Sequence, residues 1–149
     1  MINLVPLHAA GKPRRWILCF KKSSQSRLVR VLACGQYKHV RAFGYVEECD
    51  AYIFIDVRFG KTDVWTARGN GAGALMAYYA EDCDLIGMPV LENSASSFRL
   101  GFYCVPAVKH LIGLRGGALR PDALWRHCLR NGGEVIADGR SPTLRAAAA

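Results

Sequence analysis

The first 46 residues contain no acidic side chain, against nine lysines and arginines. Ion pairing within that stretch is therefore excluded, and its cations must face solvent, a later part of the chain or an anionic partner. No apolar run approaches the ~18 residues that a membrane-spanning helix needs. The opening MINLVPLHAAGKPRRW lacks a basic segment followed by an apolar core of ~7–15 residues, so no export signal is expected. No CxxC pair is present among the six cysteines (Cys19, Cys34, Cys49, Cys83, Cys104 and Cys128), which removes the usual framework for structural zinc. The glycine-rich GNGAG at Gly69–Gly73 has no Lys-Ser/Thr after it and no dinucleotide spacing. It reads as a flexible connection rather than a phosphate loop, and no cofactor is expected.

What is present describes a folded chain. The 149 residues, 51% of them hydrophobic and 15 of them glycine, suit one α+β or α/β domain with a sizeable core. The net charge of +8 is uneven: residues 47–98 carry nine acids and three bases, residues 99–149 three acids and eight bases. A basic N-terminal part is able to meet nucleic acid or an acidic protein, yet Trp16, Phe20 and Tyr37 lie in apolar contexts rather than on a stacking platform. Breakers at Pro6, Gly11 and Pro13 mark residues 1–13 as an irregular arm. Residues 14–137 form the expected single domain, and 138–149 a flexible tail.

Within the domain, Arg15–Phe20 suits a buried strand and Ser26–Ala33 a short helix. Tyr37–Val46 and Ala51–Arg58 alternate as two strands joined by EECD. A symmetric antiparallel hairpin sets Phe43 opposite Phe54, Tyr45 opposite Tyr52 and Arg41 opposite Asp56. His39 then shares a face with Asp56 as its diagonal neighbour, ~7–8 Å away between Cα atoms. Asp63–Ala67 reads as a third strand, Ala74–Ala80 as one or two helical turns, and Leu85–Leu91 as an edge strand broken by Pro89. Arg120-Pro121-Asp122 opens a last helix that Asn131-Gly132-Gly133 stops.

The segment GFYCVPAVKHLIGL, Gly101–Leu114, reads as a helix with Cys104 in its first turn. Val105, Val108, Leu111 and Ile112 fall at helical spacing, Pro106 is tolerated in a first turn, and Gly113 is the stop. A cysteine placed there meets unpaired N–H groups and the positive end of the helix dipole, which favour a thiolate. The residues alone leave open whether Cys104 is such a nucleophile or a small core residue. They equally leave His39 as a base or a satisfied polar residue at a strand end. The cysteine helix is expected to pack on the sheet face bearing His39, Phe43, Phe54 and Asp56, because that face offers the larger aromatic area.

A histidine opening one strand, a polar residue on the next and later a cysteine at a helix start resembles the circularly permuted papain-like fold. Lecithin-retinol acyltransferase-like proteins and permuted relatives of NlpC-type cell-wall peptidases share that order. Through HVRAFGYV, IDVRF and CVPAVKHLIGL, over roughly residues 14–133, the chain is also similar to short uncharacterised phage and prophage proteins. The resemblance implies a small antiparallel sheet packed against a cysteine-bearing helix and a C-terminal helix. It implies Cys104 as nucleophile, His39 as base and Asp56 as orienting group, in a thiol hydrolase or acyltransferase acting on an amide, thioester or isopeptide bond. The expected substrate is a peptide or acyl group, and the expected location a bacterial host cytoplasm or a virion. A catalytically silent phage structural or accessory protein of the same fold, binding a protein or nucleic acid, is the alternative. The sequence departs from the family pattern at Tyr103, where asparagine is frequent, and at Val105 and Pro106, where polar residues are.

Overall fold

A computed structural model describes residues 11–23, 35–91 and 103–137. Its elements in chain order are β1 (Arg15–Lys21), β2 (His39–Val46), β3 (Ala51–Arg58), β4 (Lys61–Ala67), α1 (Gly69–Ala80), β5 (Cys83–Pro89), α2 (Cys104–Ile112), α3 (Pro121–Arg130) and β6 (Glu134–Ala137). The six strands form one antiparallel sheet in the order β4-β3-β2-β1-β5-β6, so the fold is α+β. The expected helix at Ser26–Ala33, most of the arm, Cys34 and the tail from Asp138 lie outside the described residues.

Strand alternation divides the core into two. Trp16, Leu18 and Phe20 on β1, Val40 and Ala42 on β2, and Ile86 and Met88 on β5 point to one face. Helix α2 covers it with Val105, Val108 and Ile112, and α3 with Leu124 and Cys128. Phe43, Phe54, Cys19 and Leu85 point to the other face, where α1 lays Tyr79 over them. The Tyr79 ring lies 5.1 Å from that of Phe54, and the Phe43 and Phe54 rings stack at 5.4 Å.

This division corrects the expected packing of the cysteine helix. Helix α2 lies on the aliphatic Val40/Ala42 face, not on the aromatic face of Phe43 and Phe54. The reason is α1, which begins at Gly69 and takes in the whole glycine-rich segment read as a connection. Each glycine costs a helix ~1 kcal/mol relative to alanine. Burial of Ala72 and Tyr79, with Leu75 and Met76 packed beside them, offsets that cost and leaves the aromatic face already covered.

Other elements follow local chemistry. The β2–β3 ladder pairs Phe43 with Phe54 and Tyr45 with Tyr52, as the symmetric hairpin requires. Its turn is a 3-10 turn, Glu47–Cys49, closed by Asp50 in the left-handed region at φ 46°. Helix α2 ends at Gly113, φ 69°, whose position lets the Leu114 N–H donate to the Lys109 carbonyl at 2.9 Å. Pro121 begins α3, and the Asp122 carboxylate accepts the Gln36 N–H at 2.9 Å and the Tyr37 N–H at 3.3 Å, fastening the approach to β2. Strand β5 is not an edge strand. It runs between β1 and β6, and Pro89 ends it, where its missing N–H breaks no ladder.

If α1 is held by the aromatic face, Phe54→Ala should cost about 3–5 kcal/mol of unfolding free energy in urea denaturation. A cost under about 1 kcal/mol would contradict that packing.

Candidate functional site

The β2–β3 ladder runs from Val46 opposite Ala51 to Ala42 opposite Ile55. Beyond that pair β2 continues to His39 on β1 alone, where Lys21 is its partner, and β3 continues to Arg58 on β4 alone. His39 and Asp56 stand at this open end of the hairpin. They close it with a side-chain hydrogen bond, Nε2 to Oδ1 at 2.6 Å. His39 is the first residue of β2, so its ring sits at the end of the sheet, beyond the last β2–β3 pair. The Cys104 sulfur, on the α2 side, is near enough to favour the protonated ring. With Nε2 taken by Asp56, Nδ1 is the nitrogen left for sulfur. Of the three side chains nominated from the sequence, His39 and Asp56 are in direct contact and Cys104 acts on the same ring, although the helix approaches from the face opposite to the expected one.

Cys104 is the first residue of α2, preceded by Tyr103 in extended conformation with no side-chain cap. The Tyr103 carbonyl accepts the Ala107 N–H at 3.3 Å, Pro106 has no N–H, and among the described residues the Cys104 and Val105 N–H groups meet no backbone acceptor. Tyr103 directs its hydroxyl instead to the Leu119 carbonyl at 2.9 Å, tying the start of α2 to the loop before α3. The site is enclosed: Cys104 is 8% exposed, and the His39 and Asp56 side chains are 18% and 13% exposed.

Burial alone would push the His39 imidazole towards its neutral form. The hydrogen bond to Asp56 first, then interaction with the Cys104 sulfur and the Asp56 charge, overrule it and raise the pKa to about 9. Asp56 shows the complementary balance. Burial disfavours its charge, but the His39 hydrogen bond and cation, with Arg58 and Arg41 further off, hold it below the usual carboxylate range. Its second oxygen faces the Arg58 Nε at 3.7 Å. Arg58 also pairs with Asp63, which stands opposite Asp56 on β4, so one guanidinium screens two like charges across the ladder.

The Arg41–Asp56 ion pair that the hairpin register suggested does not form. Arg41 is buried and donates from Nε to the Tyr79 carbonyl at 3.2 Å and from NH2 to the Tyr78 carbonyl at 2.9 Å. Its guanidinium carbon sits 4.9 and 4.7 Å from the Tyr78 and Tyr79 ring centroids. The last turn of α1 thus takes the cation with its orphan carbonyls and leaves the Asp56 carboxylate to His39. Neither this capture nor the role of Arg58 was read from the sequence. The available signal for Arg58 was the hairpin after Gly60, which sets Asp56 against Asp63 and calls for a cation between them.

Three other thiols are set apart. Burial raises the pKa of Cys19 and Cys83, and pushes Cys128 up to about 12. Cys49 is exposed on the 3-10 turn. Among the described residues no group of three or more His, Cys, Asp or Glu side chains is placed to hold a metal ion, and no helix is long and apolar enough to cross a membrane. Comparison with family models, with curated proteins and with solved structures gives no match.

His39 should keep its proton to about pH 9. That value lies above the ~6.5 of an unfolded histidine, so the cation's contribution to stability is fully present below pH ~6.5 and is lost as pH rises through about 9. Following the imidazole carbon-bound protons by NMR across this range checks it, and Asp56→Asn should move the midpoint down. A wild-type midpoint near ~6.5 would contradict the arrangement.

Proposed function

We propose that the chain is a thiol hydrolase or acyltransferase of the permuted papain-like kind, acting on an amide, thioester or isopeptide bond. The observation that supports this reading is the His39–Asp56 hydrogen bond, with the Cys104 sulfur, at the first turn of a helix, acting on the same ring.

In the proposed reaction the Cys104 sulfur, its proton held by His39, attacks the carbonyl carbon of the substrate. A carbon–sulfur bond forms, and charge develops on the carbonyl oxygen beside the Cys104 and Val105 N–H groups. As the tetrahedral adduct collapses, the bond to the leaving nitrogen or sulfur breaks and His39 delivers its proton there. Water or an acceptor nucleophile then attacks the thioester, His39 takes the incoming proton, and Cys104 leaves as thiolate. Asp56 keeps the imidazole in one tautomer and stabilises its cation throughout. Val105 and Pro106 add no side-chain donor, so two backbone N–H groups carry the oxyanion alone.

A second reading, a silent protein of the same fold that binds a partner, is favoured by the low exposure of Cys104. Nucleophilicity of the thiol separates the two. In mildly acidic buffer, where an ordinary thiol is protonated, iodoacetamide should modify Cys104 ahead of the exposed Cys49, as read by peptide mass spectrometry. His39→Ala should slow that reaction about tenfold or more, while leaving Cys49 unchanged. Equal labelling of Cys104 and Cys49, or a His39→Ala rate equal to wild type, would defeat the enzymatic reading.

A further inference from the structure

Away from Cys104, the loop before α3 and the outer side of α3 enclose an open cleft of about 680 Å3. Ala123, Arg126, His127 and Arg130 fall at helical spacing and bring two guanidinium groups and an imidazole to one side of the helix. Ala118, Ala123 and Leu129 supply apolar lining, and the exposed Gly117 leaves the loop side low. None of Cys104, His39 and Asp56 lines it.

Among the described residues no carboxylate pairs with Arg126, His127 or Arg130. Among the described residues the only side-chain hydrogen bond of Arg130 is a 3.3 Å contact to the Arg126 carbonyl within the same helix. The Lys109 ammonium stands nearby, held by the Gly116 and Ala118 carbonyls. His127 registers the excess: burial first, then the Arg130 and Lys109 charges, lower its pKa. Cations in the last turn of a helix complement its dipole. That accounts for an isolated basic residue there, but not for two forked donors and an imidazole beside a concave, part-apolar surface.

We infer that this cleft binds a phosphate monoester, its dianionic head between the Arg126 and Arg130 guanidinium groups and its carbon skeleton along Ala118, Ala123 and Leu129. Guanidinium forks match phosphate oxygens in geometry as well as charge. Two of them beside an imidazole suit a dianion better than a single carboxylate. A cleft of this size fits a small organic molecule. The inference is independent of the Cys104 chemistry.

NMR titration of the isotope-labelled full chain tests it, with inorganic phosphate as the dianion, acetate as the single charge and an oligothymidylate without terminal phosphate as the diester. Phosphate should give saturable shifts at His127 and at amides of residues 117–130, with acetate about tenfold weaker or more. Arg126→Gln with Arg130→Gln should weaken phosphate about tenfold or more without changing thermal unfolding, and Arg120→Gln, outside the cleft, should not. Absence of saturable shifts, or an equal response to acetate, would overturn the proposal. Oligothymidylate saturating the same residues more tightly than phosphate would also overturn it, reassigning the cleft to nucleic acid.

Discussion

The short contact between His39 and Asp56 stands where the main-chain pairing of β2 and β3 gives out. A histidine and a carboxylate there join the two strands beyond the ladder with one charge-assisted bond. The open end of one hairpin is therefore where His39 and Asp56 find each other, with the start of α2 close by.

Keeping that carboxylate for the histidine takes two further arrangements. Arg41 projects from β2 towards the Asp56 side of the sheet but is drawn to the carbonyls of Tyr78 and Tyr79 at the end of α1. Arg58 stays close enough to quiet the repulsion between Asp56 and Asp63, without displacing His39 from Oδ1. The glycine-rich, uncharged α1 thus serves the site at a distance: it covers Phe43 and Phe54, and its last turn removes a competing cation.

Much of the local structure was legible in the sequence. The alternation of HVRAFGYV and AYIFIDVR gave the hairpin and its register, and Gly113 and Pro121 marked a helix end and a helix start correctly. The His39–Asp56 proximity was legible through the hairpin register, and the place of Cys104 at the start of a helix through the spacing of Val105, Val108 and Ile112. The side on which α2 packs was not. A preference for the larger aromatic face holds only if nothing else covers it, and the helix that does is built from GNGAGALMAYYA, whose glycines disguise it. Strand β6 was missed because its four residues carry no clear alternation of burial, being exposed until Ala137. The fate of Arg41 was beyond reach for a related reason, since its partners are main-chain carbonyls and carry no sequence signature.

The central claim is that Cys104 forms and releases an acyl group with His39 as its proton carrier. Rapid mixing with a p-nitrophenyl ester, followed by acid quench and intact and peptide mass analysis, addresses it directly. The account predicts one acyl group per chain, located on Cys104 and absent in Cys104→Ala, together with a matching burst of p-nitrophenolate. Acylation spread over Cys49 and lysines, or a burst that persists in Cys104→Ala, would contradict it.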